Sequence, residues 1–410
     1  MMYQHILNAR ISTPEQEKSS PAGKRAARNI LILGTTPKIS KENEERICQI
    51  LKLPVDWEYL INLAELHGVA PLIAHALLTS GISNQIPKLY LERLNKIYHN
   101  ALYRNVILSE ELTKVLFSFN RRDIPVMVLK GTILAEQLYG NPALRVVTDM
   151  DILVEHEKMS LANSTLIEIG YRLLPLEEEW DHPFHEAPYF KNVQFPFFIE
   201  LHRNLDDPRL VPIPQQEIWR RAKRLQIQEA TALVLSPEDY LIYLSNNLSR
   251  PSGQTLKYLC DIAHLLKKYE GKLDWKYIIE SACSWQMATA VYYPLKRTHD
   301  LLGVPVPAHV LEKLKTGTIR LGLMNLLVSR NSFISPIANN RLKNETLTLF
   351  RSLLMKHPRQ AMIVLSRYRG IEKRWAWLST FGWAILVFFI ALVRNISWFI
   401  REGHNVAKSL

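Results

Sequence analysis

The stretch VVTDMDILVE, positions 146–155, admits few environments. Its apolar residues read as a buried strand, and side chains on a strand alternate between faces, so Asp149 and Asp151 share one face. Like charges held side by side repel and resist desolvation. The fold must therefore leave the pair in water near a strand end or supply a cation. If it does neither, removing one carboxylate relieves repulsion and leaves the fold intact or slightly more stable.

A third acid narrows the choice. Glu200 lies in FPFFIELH, another apolar run of strand character with no basic residue among its first seven positions. Three acids on neighbouring strands can hold two Mg²⁺ ions roughly 3.5–4 Å apart, the clamp used for in-line phosphoryl displacement. Upstream, VLKGT places Lys130, Gly131 and Thr132 at a strand-to-helix turn. Free N–H groups at a helix N-terminus bind phosphate, glycine allows close approach, and lysine adds a point charge. The same three letters also serve as a plain turn. Arg145, just before the acidic strand, suits a triphosphate and surface acids equally well. His202 shares the face of Glu200, placed to contact substrate, to orient Glu200 or simply to bond the backbone. DHPFHE, with His182, His185 and Glu186, has a zinc-like composition but, between prolines, reads better as a loop over the site.

The rest of the chain divides by periodicity. Positions 41–120 carry helical spacing throughout, 121–235 alternate short strands with helices, and 236–340 turn helical again after a Ser-Pro-Glu start signal. The expected fold is α+β, a small mixed sheet flanked by N- and C-terminal helical subdomains. Positions 1–40 read as a flexible basic leader. Positions 341–374 are basic, and the uncharged run 375–393 is followed by a tail, 394–410. At 1.5 Å per residue that run reaches roughly 28 Å, enough for a transmembrane or interfacial helix.

The charge argues against one partner class. The net charge of the 410 residues is +12, but the excess lies at the two ends and positions 41–340 are nearly neutral. A long nucleic acid calls for a basic stripe along the folded body. Three scattered cysteines suggest neither a disulfide framework nor a structural zinc site and fit a reducing compartment.

The ordered combination VMVLKGTILAEQLYGNPALRVVTDMDILV and IELHRNL resembles the uncharacterised nucleotidyltransferase family of the polymerase-β-like superfamily. The likeness extends to DWEYLINLAELHGVAPLI before it, and to LSPEDYLIYLSNN, LKYLCDIAHLL and LDWKYIIESA after it. The resemblance implies a nucleotidyltransferase core at 121–235, with Asp149, Asp151 and Glu200 as catalytic metal ligands and the turn at Lys130 and Gly131. Gly131-Thr132 stands where the superfamily commonly has Gly-Ser, and Asn246 and Asn247 stand where relatives often show histidine. The implied reaction moves a nucleotidyl group from an NTP to a small molecule, saccharide or lipid-linked acceptor. Gene clusters for surface polysaccharides and modified peptides are the family's frequent setting. The alternatives are transfer to RNA, as in toxin-like relatives, and a membrane-tethered protein that binds nucleotide without transfer. Basic residues before position 375 place the expected anchor at the cytoplasmic face of a membrane.

Overall fold

The computed structural model describes residues 20–36, 40–174, 186–247, 256–327, 351–355, 360–361 and 364. The first helices are α1 (Pro21–Gly34), α2 (Lys41–Leu51), α3 (Trp57–Leu66), α4 (Ala70–Thr79) and α5 (Lys88–Asn120). The central region runs β1 (Val126–Val128), α6 (Thr132–Tyr139), β2 (Met150–Val154), α7 (Met159–Glu168), β3 (Arg172–Leu173), β4 (Glu186–Asn192) and β5 (Pro196–His202). It continues through α8 (Gln215–Arg221), β6 (Lys223–Ile227) and β7 (Ala230–Val234). The later helices are α9 (Pro237–Asn247), α10 (Leu256–Lys268), α11 (Trp275–Ser284), α12 (Ala288–Leu302), α13 (Ala308–Leu314) and α14 (Thr318–Leu327).

These elements make a mixed α/β structure around a seven-stranded sheet of order β3-β4-β5-β2-β1-β7-β6. The β1–β2, β3–β4, β4–β5 and β6–β7 pairs are antiparallel, whereas β2–β5 and β1–β7 are parallel. The central strand β2 is buried along its whole length. A strand covered on both faces gives its acid no route to bulk water, so of the two environments open to the pair, Asp151 needs the one with a cation.

Local signals set the helix boundaries. Asp56 caps α3 by accepting from the Tyr59 N–H at 2.9 Å, and Asp274 caps α11 by accepting from Tyr277 at 3.0 Å. Such caps contribute about 1 kcal/mol each. At 33 residues, α5 is long enough to run about 50 Å. It holds the segment before β2: Asn105 donates to the Arg145 carbonyl at 2.7 Å, and Arg104 Nε donates to the Val147 carbonyl at 2.9 Å.

One element departs from the sequence expectation. Within the stretch read as a flexible leader, positions 21–34 form α1, whose Ile30 and Leu31 are fully buried in the common apolar cluster. Each such side chain contributes roughly 1.5–3 kcal/mol when buried, which outweighs the basic composition that suggested disorder. The β6–β7 hairpin carries no Gly or Asn at its turn; Gln228 takes the positive φ of 50° instead. The expected C-terminal helix at 375–393 lies outside the described residues, and no described helix is long and apolar enough to cross a membrane.

Candidate active site

The site begins where β1 ends. Leu129 continues the ladder by donating to the Asp151 carbonyl at 3.0 Å, and Lys130 follows at the sheet edge of the turn. Gly131 then adopts φ 80° and ψ −137° as the N-cap of α6. That backbone region is essentially closed to residues with a Cβ. An added Cβ would also meet the Asp149 carbonyl oxygen at 3.3 Å. Gly131→Ala is therefore expected to cost about 1–3 kcal/mol and to push the turn away from β2. Denaturant midpoints check the first part; an unchanged midpoint would show that the turn relaxes freely.

Sheet register assembles the rest. The parallel β2–β5 pairing sets Asp151 beside Glu200, and the antiparallel β4–β5 pairing sets Glu186 beside His202. Paired residues share a face, as do residues two apart, so Asp151, Glu200, His202 and Glu186 converge. Asp151 and His202 are fully buried, and Glu186 nearly so. His202 Nε2 lies 3.3 Å from Asp151 Oδ1 and 3.7 Å from Glu200 Oε2, while its Nδ1 lies 3.5 Å from Glu186 Oε2. Lys130 Nζ pairs with Asp151 Oδ1 at 2.7 Å.

This arrangement answers the repulsion anticipated from the sequence. Burial raises the Glu200 carboxyl, and the neighbouring Glu186 and Asp151 raise it further, to about 8. For Asp151 burial acts the same way, but Lys130 and then His202 outweigh it and hold its carboxyl well below the usual range. His202 is raised to about 9, because hydrogen bonds to Asp151 and Glu200 overcome the penalty of burial. Lys130 is also pushed well above its ordinary value; burial opposes this, and Asp151 overrides it. Two protein cations thus face three close carboxyl groups, of which Glu200 keeps its proton near neutral pH.

Whether a metal fits is decided by the donor atoms. Asp151, Glu200 and His202 each offer a ligand atom within 4.8 Å of the other two. Asp151 Oδ2 is sealed from solvent and has no hydrogen-bond partner. A buried carboxylate oxygen left so is costly unless a ligand completes it. The residues present therefore fit a divalent ion. Asp149 is half-buried and lies outside this triad, accepting a hydrogen bond from Thr148 Oγ1 at 3.0 Å, although its charge still reaches Lys130 and Glu200. Thr132 opens α6, its hydroxyl buried without a partner.

Arg145 is placed elsewhere. Its guanidinium is buried and pairs with Asp261 of α10 in a fork, Nε to Oδ1 at 2.9 Å and Nη2 to Oδ2 at 3.0 Å. Tyr139 donates to the same carboxylate at 2.7 Å, and Arg145 Nη1 reaches the Gly131 carbonyl at 3.5 Å. The acid that pairs with it is a buried one rather than a surface one. It braces the glycine turn from behind. Asn246 donates to Asp206, and His182 and His185 lie outside the described residues.

Residues not singled out by the sequence also bear on the site. Tyr243 of α9 lies close enough to raise the Lys130 pKa, and Tyr240, one turn earlier, donates to the Val128 carbonyl at 3.2 Å. Their spacing of three on one helix was the available signal. Glu186 was visible only as part of a histidine-rich loop, and its position opposite His202 follows from strand register alone.

Next to the Arg145 brace, His264 stacks on Tyr139 with ring centroids 3.9 Å apart. A cavity of about 490 Å³ adjoins them, lined by His75, Thr79, Lys267 and Lys268 among others, with none of the β2 or β5 acids. Burial pushes His264 down to about 4, against the opposing pull of Asp261 and the Leu138 carbonyl. An unfolded histidine protonates near 6.5. The folded state binds fewer protons between these values, so this contribution is complete above about 6.5 and is lost as pH falls towards 4. The expected loss is about 3 kcal/mol. It is read as the difference in unfolding free energy between wild type and His264→Gln across that window; parallel pH curves would refute it.

No curated protein sequence matches the chain. The glycine turn, the acids of β2 and β5 and the helices α3 to α12 fall within residues 54–303, which match the family described as uncharacterised nucleotidyltransferase, and the chain belongs to that family of phosphorus-group transferases.

Proposed function

We propose that the protein transfers a nucleotidyl group from an NTP to a hydroxyl or phosphate of a small-molecule, saccharide or lipid-linked acceptor, with divalent-metal dependence. The observation that carries this reading is the buried Asp151–Glu200–His202 cluster with an unsatisfied Asp151 oxygen, next to a glycine turn that opens a helix. Asp151 and Glu200 hold the ion, with Asp149 completing the set when nucleotide is bound. Bound there, Mg²⁺ or a similar ion neutralises the triphosphate and lowers the pKa of the acceptor hydroxyl.

The chain's own residues do the remaining work. Gly131 lets phosphate approach the backbone, and the first amides of α6 point at it. Lys130, anchored on Asp151, presents its charge towards the same region. Thr132 supplies a hydroxyl there. Glu200 holds a proton near neutral pH until a cation replaces it. The nearly neutral body favours a small acceptor over a nucleic acid. The basic residues before the uncharged run 375–393 favour attachment to the cytoplasmic face of a membrane, which carbonate extraction of cell membranes tests.

The reaction is tested by incubating the protein with a metabolite extract, each NTP in turn and Mg²⁺ or Mn²⁺, followed by mass spectrometry. A nucleotidylated product that needs the metal is expected. Glu200→Gln is expected to cut its formation by orders of magnitude while NTP binding stays within about tenfold, 1.4 kcal/mol. Full turnover in that variant would make Glu200 a bystander.

A further inference from the structure

We propose that His202 is itself a metal ligand through Nε2, held in place by Glu186, so that the centre is an oxygen–oxygen–nitrogen site that prefers Mn²⁺ over Mg²⁺. This rests on the reading of the acid cluster as a metal centre and goes beyond it in naming the third ligand, its support and the class of ion.

The ring stands between carboxylates on opposite sides. Nε2 faces Asp151 and Glu200, at 3.3 and 3.7 Å, and Nδ1 faces Glu186 at 3.5 Å. Register makes this unavoidable: His202 shares its face with Glu200 on β5, and its antiparallel neighbour on β4 is Glu186. Metal-binding histidines almost always give their second ring N–H to a carboxylate, carbonyl or water, which fixes ring orientation and the free lone pair. Without metal, Nε2 carries the proton shared with Asp151; an ion bound there would displace that proton to solvent and take the Nε2 lone pair, while Nδ1 keeps its own proton 3.5 Å from Glu186 Oε2.

Asp151 divides its oxygens accordingly. Oδ1 pairs with Lys130 Nζ at 2.7 Å, so the oxygen left for an ion is Oδ2, which is buried without a hydrogen-bond partner. Ligand atoms within 4.8 Å of one another need only a small contraction to surround one ion. Mg²⁺ favours oxygen ligands and keeps its waters, whereas imidazole suits the first-row transition ions. A buried imidazole in the set therefore discriminates against Mg²⁺.

The test uses full-length protein and Mn²⁺ alone, without nucleotide. Pulsed electron paramagnetic resonance of bound Mn²⁺ is expected to show nitrogen modulation that changes from the ¹⁴N to the ¹⁵N pattern when the protein is labelled with ¹⁵N-histidine, a readout that needs no variant to fold. Glu186→Gln is expected to weaken Mn²⁺ by about 10–100-fold, and His202→Gln to abolish the modulation and narrow the preference over Mg²⁺ in competition. Melting curves without metal identify any variant that fails to fold. Mn²⁺ that binds in wild type but not in Asp151→Asn, with no histidine modulation, overturns the ligand assignment and leaves the proposed reaction standing. Absence of any Asp151-dependent Mn²⁺ binding overturns both. Histidine modulation in a protein that makes no nucleotidylated product sustains the metal site and removes the reaction.

Discussion

Asp151→Asn is expected to lose transfer by orders of magnitude and, at the same time, to lower folding stability by about 3 kcal/mol. From the sequence alone, deleting one of two like charges relieves repulsion. The structure reverses that sign. Asp151 is fully buried and paired with Lys130, whose side chain is only 13% exposed, so its neutralisation leaves a cation with little water. Breaking a buried pair by removing one partner costs about 3–5 kcal/mol, and the low end applies because the asparagine oxygen still accepts from the ammonium. Removing both charges avoids the stranded cation. Lys130→Met combined with Asp151→Asn is therefore expected to be more stable than Asp151→Asn alone while remaining inactive. Denaturant unfolding of the three proteins decides it. If the single variant were as stable as wild type, the Lys130–Asp151 pair would be an incidental contact and the metal-free site would be neutralised by other means.

The part of the site that depends on short-range periodicity was legible. A two-residue spacing puts Glu200 and His202 on one face of β5, and a Gly after a strand at a helix start marks a special backbone position, whereas Asp149 lies just before β2 and only Asp151 of its pair is on the strand. What joins these pieces is register, and register between distant strands is set by tertiary packing. Nothing within FPFFIELH states that Glu200 sits beside Asp151, or that Glu186 faces His202 across β4. Lys130 was read as a phosphate contact because its charge follows a strand and precedes a glycine. The antiparallel β1–β2 pairing also brings the same lysine to Asp151, a partner that the local sequence does not announce. The apolar run of β2 already reads as a buried strand, and the layers on both sides of the sheet bury Asp151 along with it. Helix α1 was hidden by its lysine and arginines, although Ala26, Ala27, Ile30 and Leu31 carry helical spacing.

The second large effect concerns Arg145. Four residues before Asp149, it has the composition and position of a triphosphate ligand, and its actual partner, Asp261, lies more than a hundred residues further along the chain. Arg145→Met is expected to cost about 3–5 kcal/mol, because it removes the forked bonds at 2.9 and 3.0 Å and leaves the fully buried Asp261 carboxylate to the Tyr139 hydroxyl. Arg145→Lys recovers only part of this, since an ammonium has the charge without the planar fork. In Arg145→Met/Asp261→Leu neither charge is stranded, and stability is expected to return close to that of wild type. That double variant separates the two roles weighed for this arginine. If Arg145 only braces the Gly131 turn through its 3.5 Å contact, the refolded double variant keeps NTP affinity within about tenfold of wild type, 1.4 kcal/mol. Calorimetric titration with NTP and Mn²⁺ measures this. A double variant of wild-type stability that had lost NTP binding altogether would mean that Arg145 leaves Asp261 to grip the triphosphate when nucleotide enters, and the buried pair would then be a resting state rather than a fixed brace.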